Sequence, residues 1–267
     1  MIPVILIHNG NSGYLQYSIK KALERNIVYL IGDTDPSIQD EKFVYVKSSN
    51  YITEEYKQFE EIYEHLSTND YAFEIFCFLR WFIIKEFMLQ NKICTSFYID
   101  SDVMLYVNVN DEWKKFDQYD FTLLHRTAAV SSFITKIGIE NFCKFLLNTY
   151  KNKNTYQFEK IASHYTIRKK YGLAGGVCDM TLLDFFHYHA DVGGGPGKVG
   201  EMMTIIDGST YDHNILAADQ YFEFDGYKKV KMINGIPYVF SIKIGKLIRF
   251  NSLHFNSHMK VYMKDYF

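Results

Sequence analysis

Between residues 2 and 105, short apolar runs alternate with longer stretches of helical pattern, and that alternation leaves few architectures open. Residues 2–8 read as a buried strand, followed by the polar loop Asn9-Gly10-Asn11-Ser12-Gly13 and a helix to about Arg25. Residues 27–31 form a second strand ending at Gly32-Asp33, with Pro36 closing the turn. Residues 43–46 are a third, short strand. Helices near 54–66 and 70–90 come next, the latter apolar nearly all round and therefore deeply buried. Repeated strand–helix units imply a parallel sheet covered on both faces. Ligands of such sheets collect at the carboxyl ends of the strands, where Asp33, Asp100 and Asp102 fall.

The next strand carries the chemistry. In Ser96-Phe97-Tyr98-Ile99-Asp100-Ser101-Asp102-Val103-Met104-Leu105 an apolar run breaks at two aspartates and then resumes. Side chains at i and i+2 of a strand leave on the same side, about 7 Å apart between Cα atoms. A desolvated carboxylate without a partner is costly, so a buried strand seldom carries two. A divalent cation resolves the conflict, and hard oxygen ligands suit magnesium or manganese.

The second half is more mixed. Residues 121–124 and 130–133 look like strands, 137–150 and 155–171 like helices, and Ala174-Gly175-Gly176 opens another helix through about His189. The loop Gly193-Gly194-Gly195-Pro196-Gly197 precedes a strand at 202–206. The last sixty residues hold short strands with turn signals at Asn234-Gly235 and Pro237. There is no internal repeat or linker. With 267 residues and 48% hydrophobic content, the chain suffices for one large mixed α/β domain. Its net charge of −2 argues against a general binder of nucleic acid or acidic lipid, with local basic patches left open.

The four cysteines form no C-x-x-C pair, and Cys77 and Cys94 sit in apolar segments as reduced core thiols. The N-terminal apolar run is too short for a signal sequence and lacks a basic flank. No apolar run approaches the ~18 residues of a membrane span. A soluble cytoplasmic protein is expected, with peripheral membrane contact left open.

The order of these features resembles the glycosyltransferases of the GT-A fold. Their D-x-D motif at a strand end holds a metal and the diphosphate of a nucleotide-sugar. Here the motif is Asp100-Ser101-Asp102. The resemblance implies a single Rossmann-like α/β domain with a mixed, mostly parallel central sheet flanked by helices. Residues 1–107 would form the nucleotide-sugar-binding half. Residues 108–267 would form the acceptor-binding half, with a C-terminal metal and diphosphate segment.

Further matches follow from the same resemblance. Arg80, on the helix before the motif strand, stands where family members contact the sugar-nucleotide. Ala174-Gly175-Gly176-Val177-Cys178-Asp179-Met180 resembles the acceptor-side segment, with Gly175 and Gly176 allowing close approach of a sugar. Asp179 there serves as hydrogen-bond acceptor or general base. Ser252-Leu253-His254-Phe255-Asn256-Ser257-His258-Met259-Lys260 resembles a C-terminal H-x-x-G-x-x-K segment, with His254 as third metal ligand and Lys260 on the diphosphate. Ser257 and His258 stand around the usual glycine, a departure from the pattern. Asp212, His213 and Asn214 resemble a polar segment that holds sugar hydroxyls, although an Asx-turn explains them almost as well. His8 and Asn9 follow the first strand, where the nucleobase binds. Asp33 matches an acid on base or ribose, and Ser101 falls with the donor.

What this implies is a manganese- or magnesium-dependent transferase. It would take a UDP- or GDP-sugar donor and a glycan or glycolipid acceptor, in surface polysaccharide or glycoconjugate synthesis. Inversion and retention both stay open. A haloacid-dehalogenase-type phosphatase fits less well, because Met104 stands where its motif wants Thr or Val. A nucleotidyltransferase would want basic residues in the early glycine loop. The G-x-G-x-x-G of Gly195 to Gly200 follows a helix, the wrong context for a dinucleotide site, and 192–200 reads instead as a lid or a plain turn. A non-catalytic nucleotide-sugar-binding module is the remaining alternative.

Overall fold

The computed structural model describes residues 1–191, 197–218 and 221–267. Strand–helix alternation opens the chain: β1 (Val4–His8), α1 (Leu15–Leu23), β2 (Val28–Gly32), β3 (Phe43–Lys47), α2 (Glu54–Ile62), α3 (Tyr71–Gln90) and β4 (Thr95–Ile99). A short β5 (Val103–Leu105) and a one-turn α4 (Val109–Glu112) follow. Then come β6 (Phe121–Leu123), β7 (Ser131–Thr135) and three helices, α5 (Lys136–Lys151), α6 (Tyr156–Lys170) and α7 (Asp179–Asp191). The remaining strands are β8 (Val199–Glu201), β9 (Ser209–Thr210), β10 (Lys231–Ile233), β11 (Ile236–Ser241), β12 (Lys246–Phe250) and β13 (Ser252–His254).

Seven strands make one sheet in the order β3-β2-β1-β4-β7-β6-β8. The first four are parallel, β7 runs antiparallel to β4 and to β6, and β8 is parallel to β6. This is the mixed, mostly parallel sheet expected. Its two covered faces are written in the alternation of the strands. Ile5, Ile7 and Tyr98 point into a core shared with α2, α3, α5 and α7. Val4, Leu6, Phe97 and Ile99 point into a second core with α1. Strands buried on both sides explain why the runs are continuously apolar.

Helix α3 is the centre of the first core. Asp70 caps it by accepting from Phe73 N at 3.0 Å, and Trp81, Phe82, Ile84 and Phe87 are fully buried along it. Its strand β4 then delivers the acidic motif. Helix α5 leans on Asp120 through Gly138, where an added Cβ would lie 2.1 Å from the Asp120 carbonyl oxygen. Gly138→Ala is therefore expected to cost about 3 kcal/mol through forced displacement of backbone, read as a lower urea midpoint with unchanged slope.

A smaller sheet, β10-β11-β12-β9, and the pair β13-β5 build a third core around Met104, Phe222, Phe250 and Phe255. Asn234-Gly235 turns the β10–β11 hairpin with both residues at positive φ, as a type I′ turn needs. Pro237, expected in a turn, lies inside β11 opposite Met232. The strand expected at 202–206 lies earlier, at β8, because Val199, Gly200 and Glu201 take the pairing positions beside β6. The helix expected to open at Ala174 starts at Asp179, since Gly176 is engaged in a bridge with Ser67. Cys94 is exposed at the entry to β4 rather than in the core, while Cys143 is buried. The glycine loop at 193–196, and with it the greater part of the lid reading, lies outside the described residues.

Candidate functional site

The two aspartates stand in a tight turn. Asp100 N donates to Val130 O, and Val103 N returns to Asp100 O at 3.0 Å, so the chain reverses from β4 into β5 within four residues. The antiparallel partner of β5 is β13, in the register His254 to Val103. Phe255 N then donates to Asp102 O at 2.9 Å. That pairing carries a residue from the far end of the sequence to the acidic turn. One ligand atom each from Asp100, Asp102 and His254 lie within 4.8 Å of one another.

The ring of His254 is held from behind. Its Nδ1 donates to His213 O at 2.6 Å and its backbone N donates to Asp212 Oδ2 at 3.0 Å. That leaves Nε2 facing Asp102 Oδ1 at 3.3 Å. Lys260 Nζ approaches Asp102 Oδ2 at 3.0 Å and lies over the Tyr14 ring. Burial works against charge on both Asp102 and His254, but their pairing, reinforced at Asp102 by Lys260, outweighs it. The Asp102 carboxyl is held below the usual carboxylate range and His254 above the usual histidine value. Burial and the nearby His125 push His213 down to about 4.

A second network lies beside the first. Arg80 Nη1 donates to Asp100 Oδ1 at 2.9 Å and to the Tyr98 hydroxyl at 2.8 Å. Arg80 Nη2 donates to Asp179 Oδ2 at 2.6 Å, and Trp81 Nε1 donates to the same oxygen at 2.9 Å. Burial disfavours the guanidinium charge, yet Asp179, Tyr98 and Asp100 together hold the Arg80 pKa well above its ordinary value. One arginine thus joins the motif strand to the first turn of α7. Tyr98 donates in turn to Asp100 Oδ1.

These groups open onto a cavity of about 580 Å³ whose lining includes Asn9, Arg80, Ser101, Asp102, Asp179 and Lys260. His8 lines it too, its ring spanning the hydroxyls of Ser101 and Ser12 at 3.0 and 3.2 Å. A second groove of about 730 Å³ adjoins it, with Asn69, Cys178 and Met180 common to both and Gly175 and Gly176 in its wall.

Four expected site residues are placed differently. Asp33 is exposed, does not line the cavity, and accepts from Gly10 N at 2.7 Å, bracing the loop after β1. Asp212 is fully buried, its Oδ1 on Lys228 Nζ at 2.9 Å and its Oδ2 on His254 N. His213 meets His254 through its carbonyl and His125 through its ring. Asn214 closes a turn by accepting from Leu216 N. The segment 212–214 braces His254 from behind through the Asp212 carboxylate and the His213 carbonyl. Sequence reasoning missed Tyr98, Trp81, Tyr14 and Lys228. Tyr98 was within reach, because it shares a strand face with Asp100 at i−2. Lys228 had no local signal.

The sheet order and the placement of the acidic turn at the end of β4 describe a mixed, mostly parallel α/β fold flanked by helices. No protein-family profile matches the chain, and no curated protein matches it. Among solved structures the chain is similar to mouse xyloside xylosyltransferase 1, with a TM-score of 0.41 and 8% identity over 73% of this chain and 83% of that one. It is similar to an active-site mutant of LgtC (TM-score 0.38, 10% identity, 68% and 69% covered). It is also similar to the glycosyltransferase GlyE of Streptococcus pneumoniae TIGR4 (TM-score 0.37, 14% identity), spanning 69% of this chain and 43% of GlyE.

Proposed function

We propose that the chain is a metal-dependent glycosyltransferase that moves a sugar from a UDP- or GDP-sugar to a hydroxyl of a glycan or glycolipid. The observation that carries the reading is the convergence of Asp100, Asp102 and His254, with Asp100, Asp102, Arg80 and Lys260 lining one cavity. Two carboxylates and an imidazole are a donor set suited to manganese or magnesium. The fit extends behind the ligands, since the Nδ1–H bond to His213 O fixes the His254 tautomer with Nε2 turned inward. A bound divalent cation would offset charge on the departing diphosphate as a Lewis acid.

The chain's own residues supply the rest. Lys260 places a fixed positive charge at the same edge, where a diphosphate would replace its contact with Asp102. Arg80 holds Asp100 and Asp179 in fixed relation. Both oxygens of Asp179 already accept hydrogen bonds, from Arg80 and Trp81 on one and Met180 N on the other. That engagement favours a role in orienting a sugar hydroxyl over one in taking its proton. His8 and Asn9, at the carboxyl end of β1, suit the nucleoside side of the donor. Gly175 and Gly176, in the wall of the adjoining groove, suit the acceptor side.

A thermal-shift screen of UDP- and GDP-sugars with and without manganese tests this. A manganese-dependent rise in melting temperature with one donor is expected, accompanied by release of nucleoside diphosphate when acceptor is present. Binding without any turnover would make the chain a nucleotide-sugar-binding module instead. His254→Ala is expected to weaken the manganese activation curve by roughly tenfold or more while the melting temperature in chelator moves little. An unaltered manganese titration would remove His254 from the ligand set.

A further inference from the structure

Helix α6 carries a concentration of positive charge. Between residues 151 and 173 the sequence has six lysines and arginines against one acid, Glu159, in a chain whose net charge is −2. Its outward face repeats at helical spacing through Tyr156, Lys160, His164, Ile167 and Tyr171, while Phe158 and Ile161 are buried on the opposite side. Tyr156, Ile167 and Tyr171 are 62%, 54% and 68% exposed, and Leu173 just beyond is 50% exposed. Single exposed apolar side chains are ordinary, whereas four on one short basic segment form a patch, as Phe240, Ile242, Ile244 and Leu247 also do at the β11–β12 hairpin; of the two, only the α6 patch adjoins the groove described above.

The geometry of the helix end adds to this. Gly172, at φ +64°, closes a Schellman motif in which Leu173 N donates to Arg168 O and Gly172 N to Lys169 O. Such a cap commonly buries the residue after the glycine, yet Leu173 stands out in solvent. Lys160 and Lys170 lie over the rings of Tyr156 and Tyr171 at 5.2 and 5.8 Å, so cationic heads and apolar bodies share one surface. Tyrosine and lysine in that combination match the boundary between water and lipid, where rings sit at headgroup depth and ammonium groups meet anionic lipids.

We infer that the exposed face of α6 with Leu173 docks on the surface of an anionic lipid bilayer. Charge complementarity favours an anionic surface, and the exposed aromatic and aliphatic side chains favour lipid over a soluble polyanion. The groove of about 730 Å³ is walled on one side by Lys160, His164 and Ile167 of this helix and adjoins the cavity at Asp102. A head group projecting from the bilayer beside α6 therefore meets the groove directly. That last consequence, a membrane-anchored acceptor, rests on the transferase reading; the docking itself does not. Among the described residues no helix is long and apolar enough to cross a membrane.

Flotation of the full chain with vesicles tests the docking without any need for catalysis. In about 0.1 M salt the chain should float with phosphatidylcholine vesicles containing phosphatidylglycerol and stay behind with phosphatidylcholine alone, and added salt should reduce binding. Lys169→Glu with Lys170→Glu, and separately Ile167→Asp with Leu173→Asp, should each lower partitioning by about tenfold or more while melting temperature is kept. Ile52→Asp, an exposed site beside the acidic first turn of α2, should leave flotation within about twofold. Equal partitioning to both vesicle types, wild-type flotation of the α6 variants, or an equal loss in Ile52→Asp would overturn the inference. So would retention on soluble polygalacturonate without flotation, which would make the occupant an acidic glycan. A chain that floats yet transfers no sugar keeps the docking surface and loses the transferase reading.

Discussion

Asp102→Ala is expected to abolish manganese-dependent binding of a nucleoside diphosphate and to lower turnover by about 10³-fold, the scale of losing a preorganised electrostatic group. Asp102 is the one residue that meets both sides of the site. His254 Nε2 and Lys260 Nζ lie 3.3 and 3.0 Å from its two oxygens, so removing it takes away the contact that both groups share. The backbone bond from Phe255 N to Asp102 O does not involve the side chain, so the β5–β13 pairing that shapes the turn is kept. Calorimetric titration of UDP and GDP with and without manganese reads the effect. Wild-type manganese dependence in the variant would contradict the metal site.

The second large effect concerns stability. Arg80→Ala removes the partner of two carboxylates at once, leaving Asp100 and Asp179 with only Tyr98, Trp81 and Met180 as donors. Breaking a buried ion pair from one side costs about 3–5 kcal/mol, because the abandoned charge stays desolvated. A loss of that size is expected in urea denaturation. Arg80→Lys should recover only part, since an ammonium cannot fork between two carboxylates as a guanidinium does. A loss below about 1 kcal/mol for Arg80→Ala would mean that water already solvates the pair.

Much of the fold was legible because its first half is built from strands buried on both faces, and such strands read as continuous apolar runs. β1 to β4 and the helices between them fall within a few residues of where the pattern puts them. The antiparallel insertion of β7 between β4 and β6 was not legible, since no local feature of Ser131–Thr135 specifies a direction. At the site, the two aspartates announced themselves by their cost in an apolar strand. His254 could be reached only through resemblance, because its position depends on pairing with a strand from a distant part of the chain. The segment 212–214 could be read two ways, as an Asx-turn or as a holder of sugar hydroxyls, for a chemical reason. Residues that satisfy an internal turn and a buried lysine are the same types that hold a sugar hydroxyl. Asp33 is a similar case, as the brace of a loop instead of a contact.

The pairing of β13 with β5 bears on the order in which the protein is made. A ribosome emits residues 100 and 102 well before the strand that carries His254, so the nascent chain holds an acidic turn whose partner strand does not yet exist. On the proposed reading, the cation site would be completed only when the final strand docks, so an intermediate lacking that strand would hold an unfinished site.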